Sequence, residues 1–441
     1  MLDITLLREH PDLVKKNLNR RGNPAYAHFL DDFLHLDKQW RELKGKTDEL
    51  RHERNKLTLE ITKLSKEKKD ISQLIKKAKS LPEEIKKNEE RLITLQNKSQ
   101  QLLMSLPNLV DKSVPDGDAS HNNILKSFGK PKKLPFTPKD HADILESLGL
   151  LDTKKASEVA GSRFYYLKGD AVKLYHGLLQ FALDFLRNKH FTLIHPPYML
   201  RREALEGALP FAAFEEMIYK IEGEDLHLIG TAEHAINAYY MNETLPADSL
   251  PARFAGISPC FRKELGSHGK DPKGIFRVHQ FEKVEQFVFC KPEEAWKEFD
   301  LLLKNSEELL KKLEIPFRFV VLASQDMGRV PTKTVDFECW FPSQHTYREL
   351  GSCSNCLDYQ SRRSNIKYQN KNELSFVYTL NNTGLSVARM LACFVDNHQQ
   401  KNGTIKIPKA LWKYAGFKEI KPSKPTSKKK AGKKNAQRPL P

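Results

Sequence analysis

Long apolar runs are missing from this chain of 441 residues. No stretch approaches the ~20 consecutive apolar residues that a membrane-spanning helix requires. The opening MLDITLLREHPDL carries three acids and no uninterrupted apolar core, so it does not read as a signal peptide. Cysteine is scarce, and the six, at 260, 290, 339, 353, 356 and 393, are too irregular for a disulfide framework. Cys353-x-x-Cys356 lacks the second pair that a zinc cage needs; Cys339 and His345 are the only nearby helpers, and structural zinc is not expected. Neither a G-x-x-x-x-G-K loop nor a G-x-G-x-x-G turn after a strand occurs, so any nucleotide chemistry must use another frame. Acids fall short of bases, 56 against 73, and the net charge of +17 favours a polyanionic partner, nucleic acid before membrane. What these absences leave is a reduced, cytoplasmic protein, long enough for two or three domains.

Glycine and proline are almost absent from residues 27–106, and a heptad seam takes their place. Its positions run Phe33, Leu36, Trp40, Leu43, Thr47, Leu50, Arg54, Leu57, Ile61 and Leu64, then resume from Ile71 and Leu74 through Leu81, Ile85, Leu92, Leu95 and Leu102 to Leu106. The break between, Lys66-Glu67-Lys68-Lys69-Asp70, is a charged turn. Two helices of roughly 40 and 36 residues would each be about 55–60 Å long. That match favours an antiparallel hairpin over a dimerising coiled coil. Pro82 predicts a kink or restart in the second helix. Lysines at and beyond the turn (Lys63, Lys66, Lys68, Lys69, Lys76, Lys77, Lys79) lean toward a phosphate-contacting tip, although a solvated helix surface would look similar.

Residues 107–160 read as a linker with small strands, punctuated by Pro107, Pro115, Pro131, Pro135 and Pro138. From 161 to 417, short apolar runs alternate with helical stretches at 172–189 and 293–313. Consecutive strand signals with few crossover helices predict an antiparallel sheet flanked by helices, an α+β domain. The segment 418–441 holds nine bases and one acid; it reads as a disordered Lys-rich tail, solubilising or RNA-binding.

Three separated segments carry the chemistry. The first is Phe191-Thr192-Leu193-Ile194-His195-Pro196-Pro197-Tyr198-Met199. The second opens Phe261-Arg262-Lys263-Glu264, passes Gly266, Gly269 and Gly274, and closes Arg277-Val278-His279-Gln280-Phe281. The third is Thr383-Gly384-Leu385-Ser386-Val387-Ala388-Arg389. In this order, after a helical hairpin, they resemble motifs 1, 2 and 3 of the class II aminoacyl-tRNA synthetases. The likeness narrows to the seryl-tRNA synthetases, archaeal or eukaryotic-cytosolic in wording. Thr231-Ala232-Glu233 is similar to their T-x-E element, and residues 261–285 to their motif 2. Arg348 to Cys356 resembles their R-E-x-x-S-C-S-N segment, and Leu380 to Leu385 the entry to motif 3.

The resemblance implies activation of L-serine with ATP and Mg²⁺, then transfer to tRNA(Ser), and to tRNA(Sec) where present. It implies a tRNA-gripping hairpin and a homodimer through motif 1. By the same carry-over, serine contacts fall to Thr231, Ala232, Glu233, Arg262, Glu285, Asn381 and Thr383. ATP falls to Arg262, Lys263, Glu264, Arg277, Val278, Phe281, Glu349, Leu350, Gly351, Ser352 and Arg389. Arg262 takes the α-phosphate and Arg389 the far phosphates, Phe281 stacks on adenine, and Glu349 and Ser352 meet Mg²⁺. The residue types suit the reaction independently: charge builds on phosphate oxygens, which bidentate arginines neutralise best. A small hydroxyl is selected by buried polar groups that go unpaired without it. Departures from the pattern are His190 for a common glycine, Ala388 for a frequent glycine, His234 after the T-x-E element, and a looser stretch at 207–214. Two rivals predict less of this constellation: a carrier-loading paralogue would not need the hairpin, and an RNA-binding scaffold would not need Arg262, Glu285 and Arg389 together.

Overall fold

The computed structural model describes residues 1–131, 133–265, 273–371 and 373–422. Two long helices, α1 (Ala25–Lys66) and α2 (Ser72–Ser105), form the hairpin. They run antiparallel, with ion pairs between them from Arg51 to Glu89 at 2.8 Å and from Lys77 to Glu53 at 2.6 Å. Phe33, Thr47 and Leu57 of the first helix and Leu81, Ile85 and Leu95 of the second are buried on the expected seam, whereas Arg54 is exposed. The expected restart does not occur: α2 runs through Pro82 as one helix. An interior proline costs about 3 kcal/mol, and Leu81 and Ile85, both packed into the seam, offset it. At the base of the arm, Leu7, Val14 and Leu18 from two short N-terminal helices close a core with Leu30, Phe33, Leu103 and Leu106.

The main sheet has eight strands. In chain order they are β1 (Asn123–Phe128), β2 (Thr192–Ile194), β3 (Ala252–Phe261), β4 (Gln280–Cys290), β5 (Phe317–Val321), β6 (Lys333–Phe341), β7 (Thr346–Leu357) and β8 (Tyr378–Ser386). The spatial order is β1-β5-β6-β7-β8-β4-β3-β2, antiparallel except where β2 joins β3. The class is α+β. Helices α3 (Asp170–Arg187), α4 (Ala232–Ala238), α5 (Ala295–Lys312), α6 (Tyr359–Ser364) and α7 (Val387–His398) surround it. Strand alternation divides β4 between two tasks: Val284 and Val288 join the large core with Leu178, Leu302 and Leu391, while Lys283 and Glu285 face a cleft.

Two of the expected boundaries shift. The segment 107–160 is more than a linker: β1 is the sheet's edge strand, and helices form at His141–Ser147 and Thr153–Ala160. Phe128 draws β1 in by stacking on Phe317 at 4.5 Å. Asp140 caps the first of those helices by accepting the Ala142 N–H. At the other end, Glu419–Ile420 pairs with Ile405–Lys406 and buries Ile420, so the first residues assigned to a disordered tail are ordered. Residues 423–441, the greater part of that assignment, lie outside the described residues.

Candidate active site

A cleft on the β4–β8 face gathers most of the expected side chains. Thr231 caps α4, accepting the Glu233 N–H at 3.2 Å, and donates its own proton to Glu285 Oε2 at 2.8 Å. One hydroxyl thus starts the helix and orients a buried carboxylate. Lys283, two residues from Glu285 and so on the same face of β4, pairs with that carboxylate. Glu233 Oε1 accepts from Asn381 at 3.1 Å and from Gln360 at 2.8 Å. Thr383 lies opposite Glu285 in the β8–β4 register. Thr231, Glu233, Arg262, Glu285, Asn381 and Thr383 line one cavity of about 150 Å³. Ala232 sits beneath it, its methyl in an apolar cluster with Ile236 and Phe287.

The two limbs of the second motif are zipped together where they leave the sheet. The Arg262 N–H donates to His279 O at 3.0 Å, and His279 Nδ1 lies 2.8 Å from Arg262 O. Arg262 Nε donates to Gly230 O at 3.2 Å, and its guanidinium lies over the Phe281 ring, 5.4 Å from the centroid. Glu264 takes a left-handed backbone, φ +49°, and accepts from Arg277 at 2.8 Å. Val278 is buried; Lys263 reaches over Tyr219, 5.7 Å from its centroid. Residues 266–272, which include Gly266, His268 and Gly269, are outside the described residues.

The third wall is β7 with the first turn of α7. Glu349, Gly351 and Ser352 line the cavity together with Arg389. Leu350 also borders it, with its side chain buried in the core. Gly351 is required by close approach, because a Cβ there would lie 2.3 Å from the Phe337 ring and 2.6 Å from Thr383 Cβ. Arg389 Nη1 donates to Glu349 Oε2 at 2.6 Å. Phe276 lies beneath two guanidinium groups, 5.3 Å from Arg389 and 4.3 Å from Arg348.

Electrostatics sharpen the site. Burial, and then the Glu285 charge, push the Glu233 carboxyl up to about 7. Burial, with Arg262 and Lys283 adding, holds His234 down to about 3, so its imidazole is neutral. Asp336, opposite Ser352, is raised by burial and by Glu349 and Glu338. The two thiols of the C-x-x-C diverge: Cys353 packs in the main core, while Cys356 borders the cleft and meets Asn381 Nδ2 at 3.6 Å.

Lys283, Gln360, Asp336 and Phe276 were not singled out from the sequence. The Lys283–Glu285 alternation was a usable signal. Phe276 lies inside the second motif, but nothing in the one-dimensional pattern tells where it or Gln360 points. Among the departures, His190 has φ +63°, the left-handed conformation for which glycine is the common choice. Gly207 has a Cβ position 2.2 Å from Ser364 Oγ, so any side chain at the start of the looser stretch would displace that hydroxyl.

This fold and cleft define a class II aminoacyl-tRNA synthetase core: residues 216–398 match the tRNA synthetase class II core domain (G, H, P, S and T). Residues 1–110 match the seryl-tRNA synthetase N-terminal domain. The serine–tRNA ligase of Pyrococcus abyssi is 44% identical, over 96% of this chain and 98% of its own. The crystal structure of seryl-tRNA synthetase from Pyrococcus horikoshii complexed with ATP superposes with a TM-score of 0.93 at 43% identity, covering 96% of this chain and 100% of that one. Cytoplasmic serine–tRNA ligase from Naegleria fowleri in complex with AMP gives 0.88 at 33% identity, with 96% and 99% coverage. The chain belongs to the seryl-tRNA synthetase family.

Proposed function

We propose that this chain is a serine–tRNA ligase: the serine carboxylate attacks the α-phosphorus of ATP, pyrophosphate leaves to give seryl-adenylate, and a terminal ribose hydroxyl of tRNA(Ser) then takes the seryl group with release of AMP. The observation that carries this reading is the convergence of Thr231, Glu233, Glu285 and Asn381 with Arg262 and Arg389 around one cavity. No protein acid or base is needed in the first step, since the nucleophile is already ionised. Arg262, donating to Gly230 O and flanked by Phe281, is supported as the group that orients the reacting carboxylate and α-phosphate. Arg389 faces the far phosphates, Phe281 supplies the adenine platform with Val278 giving backbone contacts, and Arg277, held by Glu264, folds over the triphosphate.

The serine pocket divides its work. Glu233, with one oxygen already hydrogen-bonded to two amides, receives the ammonium, and the Thr231–Glu285 pair meets the hydroxyl. Alanine leaves that pair unmatched, whereas threonine is resisted only by size. Glu349 and Ser352 offer hard oxygen ligands beside Asp336, whose carboxyl is raised by burial and then by Glu349 and Glu338. Magnesium suits such a pair of donors, because it takes few protein ligands and keeps its phosphates. It would neutralise phosphate charge there.

The arm extends about 60 Å and carries basic residues at its tip, which supports a grip on tRNA(Ser) and, where a cell contains one, on tRNA(Sec). The edge strand β2, with Leu193 exposed, supports a homodimer through motif 1. Among the described residues no helix is long and apolar enough to cross a membrane; a cytoplasmic location is the family's. The test is ATP–pyrophosphate exchange with each of the twenty amino acids, followed by charging of tRNA(Ser). Exchange with serine alone, then serine-dependent charging, is the expected result. Exchange with none of the twenty overturns the reading.

A further inference from the structure

We propose that Gln360 is a positioning residue for the amino-acid substrate, holding the Glu233 carboxylate from a helix that is itself anchored on the base of the tRNA-binding arm. This rests on the serine-activation reading above and adds a residue and a linkage to it.

Gln360 is fully buried, and its amide is used on every side. Nε2 donates to Glu233 Oε1 at 2.8 Å and to Ala208 O at 3.1 Å, while Oε1 accepts the Thr379 hydroxyl at 2.6 Å. Because Ala208 O can only accept, the nitrogen must face it, and the amide has one orientation. Gln360 and Asn381 both donate to Oε1 of Glu233. Oε2 is thereby kept for a ligand ammonium. A neutral donor suits this position, since a lysine or arginine would cancel the charge that the ammonium needs.

The helix carrying Gln360 is α6, and its other contacts lead to the arm. Tyr359, buried with Leu7, Phe33 and Leu103, donates its hydroxyl to Leu106 O at 2.7 Å. Arg363 donates to Met104 O at 3.1 Å, Glu206 O at 2.6 Å and Leu209 O at 2.9 Å. Met104 and Leu106 end the second arm helix, and Leu209 and Ala208 line the cleft. A six-residue helix thus ties the last turn of the arm to the carboxylate that faces the substrate.

The experiment is pyrophosphate exchange by the full chain and two variants, Gln360→Met and Thr379→Val, with serine and ATP varied separately and folding checked by thermal unfolding. Gln360→Met keeps volume and removes the amide; it is expected to raise the serine KM about 10-fold or more, the scale of a hydrogen bond to a charged group. The KM for ATP and kcat should stay within about twofold. Thr379→Val removes only the group that orients the amide and should raise the serine KM about threefold, a fraction of that bond. The acid limb of the serine KM–pH profile should move to higher pH in Gln360→Met, since a bond favouring ionised Glu233 is gone. A folded Gln360→Met protein with an unchanged serine KM, or with kcat and both KM values perturbed alike, overturns the proposal. If Gln360→Met fails to fold, an unchanged serine KM in Thr379→Val does so alone. A wild-type chain that exchanges with no amino acid overturns the underlying function instead.

Discussion

Arg389 Nη1 lies 2.6 Å from Glu349 Oε2, joining the first turn of α7 to the cavity face of β7. Only 17% of the arginine side chain is exposed against 41% of the glutamate's, so the cation is fixed by packing and the acid is the movable partner. On the proposed reading, nucleotide phosphates entering the cleft would compete for that guanidinium, and engagement of Arg389 would free Glu349 for a metal ion.

Arg389→Lys should therefore lower kcat/KM for ATP in pyrophosphate exchange by about 10²–10³-fold, because a point charge cannot reproduce the planar fork. Glu349→Gln should retain more ATP affinity but need more magnesium for half-maximal exchange. Magnesium titrations of the two variants check both. Equal magnesium requirements in wild type and Glu349→Gln would remove Glu349 from the metal's ligands.

The Glu233 carboxyl, lifted to about 7, ties serine binding to pH. An ammonium ligand wants the carboxylate, so the serine KM should rise as pH falls through 7, and Glu233→Gln should bind weakly with no such limb. Stability carries the opposite sign. The empty fold holds a proton on Glu233 that the unfolded chain has already lost, so this group's contribution declines as pH rises from the unfolded value to about 7. Serine should raise Tm more at pH 8 than at pH 6, as scanning calorimetry would report.

The arm and the cleft should fail separately. Ile85 is buried in the hairpin seam far from the cavity, and Ile85→Ala should weaken the arm by about 2 kcal/mol. Charging of tRNA(Ser) should fall while pyrophosphate exchange is unchanged. Raising salt from 50 to 200 mM should act in the same direction, since phosphate contacts release counterions and serine activation makes none with tRNA. Exchange falling in step with charging would contradict the division.

Elements with a strong local period were legible in the sequence. The seam from Phe33 to Leu106 announced two helices, and the Val172–Lys189 stretch announced α3, because burial on one face repeats every three to four residues. The grouping of Thr231, Glu285 and Asn381 was legible only through resemblance: they sit on three different elements, and no local pattern brings them to one cavity. A small strand was expected within 107–160, but its place at the edge of the main sheet was not legible, since that pairing depends on Phe317, almost two hundred residues away. Pro82 does not end its helix, because the local cost is outweighed by packing. Gln360 was invisible as a site residue because its partners, Glu233, Ala208 and Thr379, are defined only by the folded cleft.

Among the described residues Arg21 pairs with no acid, and it is the sharpest test of how the N-terminal region joins the core. Its guanidinium is buried and donates to Gly328 O, to Asn108 O at 2.8 Å and to Pro331 O at 2.7 Å. Burial holds it down to about 10, still well above neutrality, so it remains a cation. Gly328 and Pro331 also line the cleft, which makes this one side chain a clasp between the arm-bearing region and a cleft wall. Arg21→Met keeps the buried stem but strands three carbonyls, at about 1–3 kcal/mol for each that water cannot reach. The expected loss is about 3 kcal/mol, since removing a buried cation also relieves its desolvation, read as a lower midpoint in urea. Arg21→Lys, with three donors but no planar fork, should fall between wild type and methionine. If both variants unfold at the wild-type midpoint, the clasp carries no stability and the junction is held by the apolar core at the arm's base.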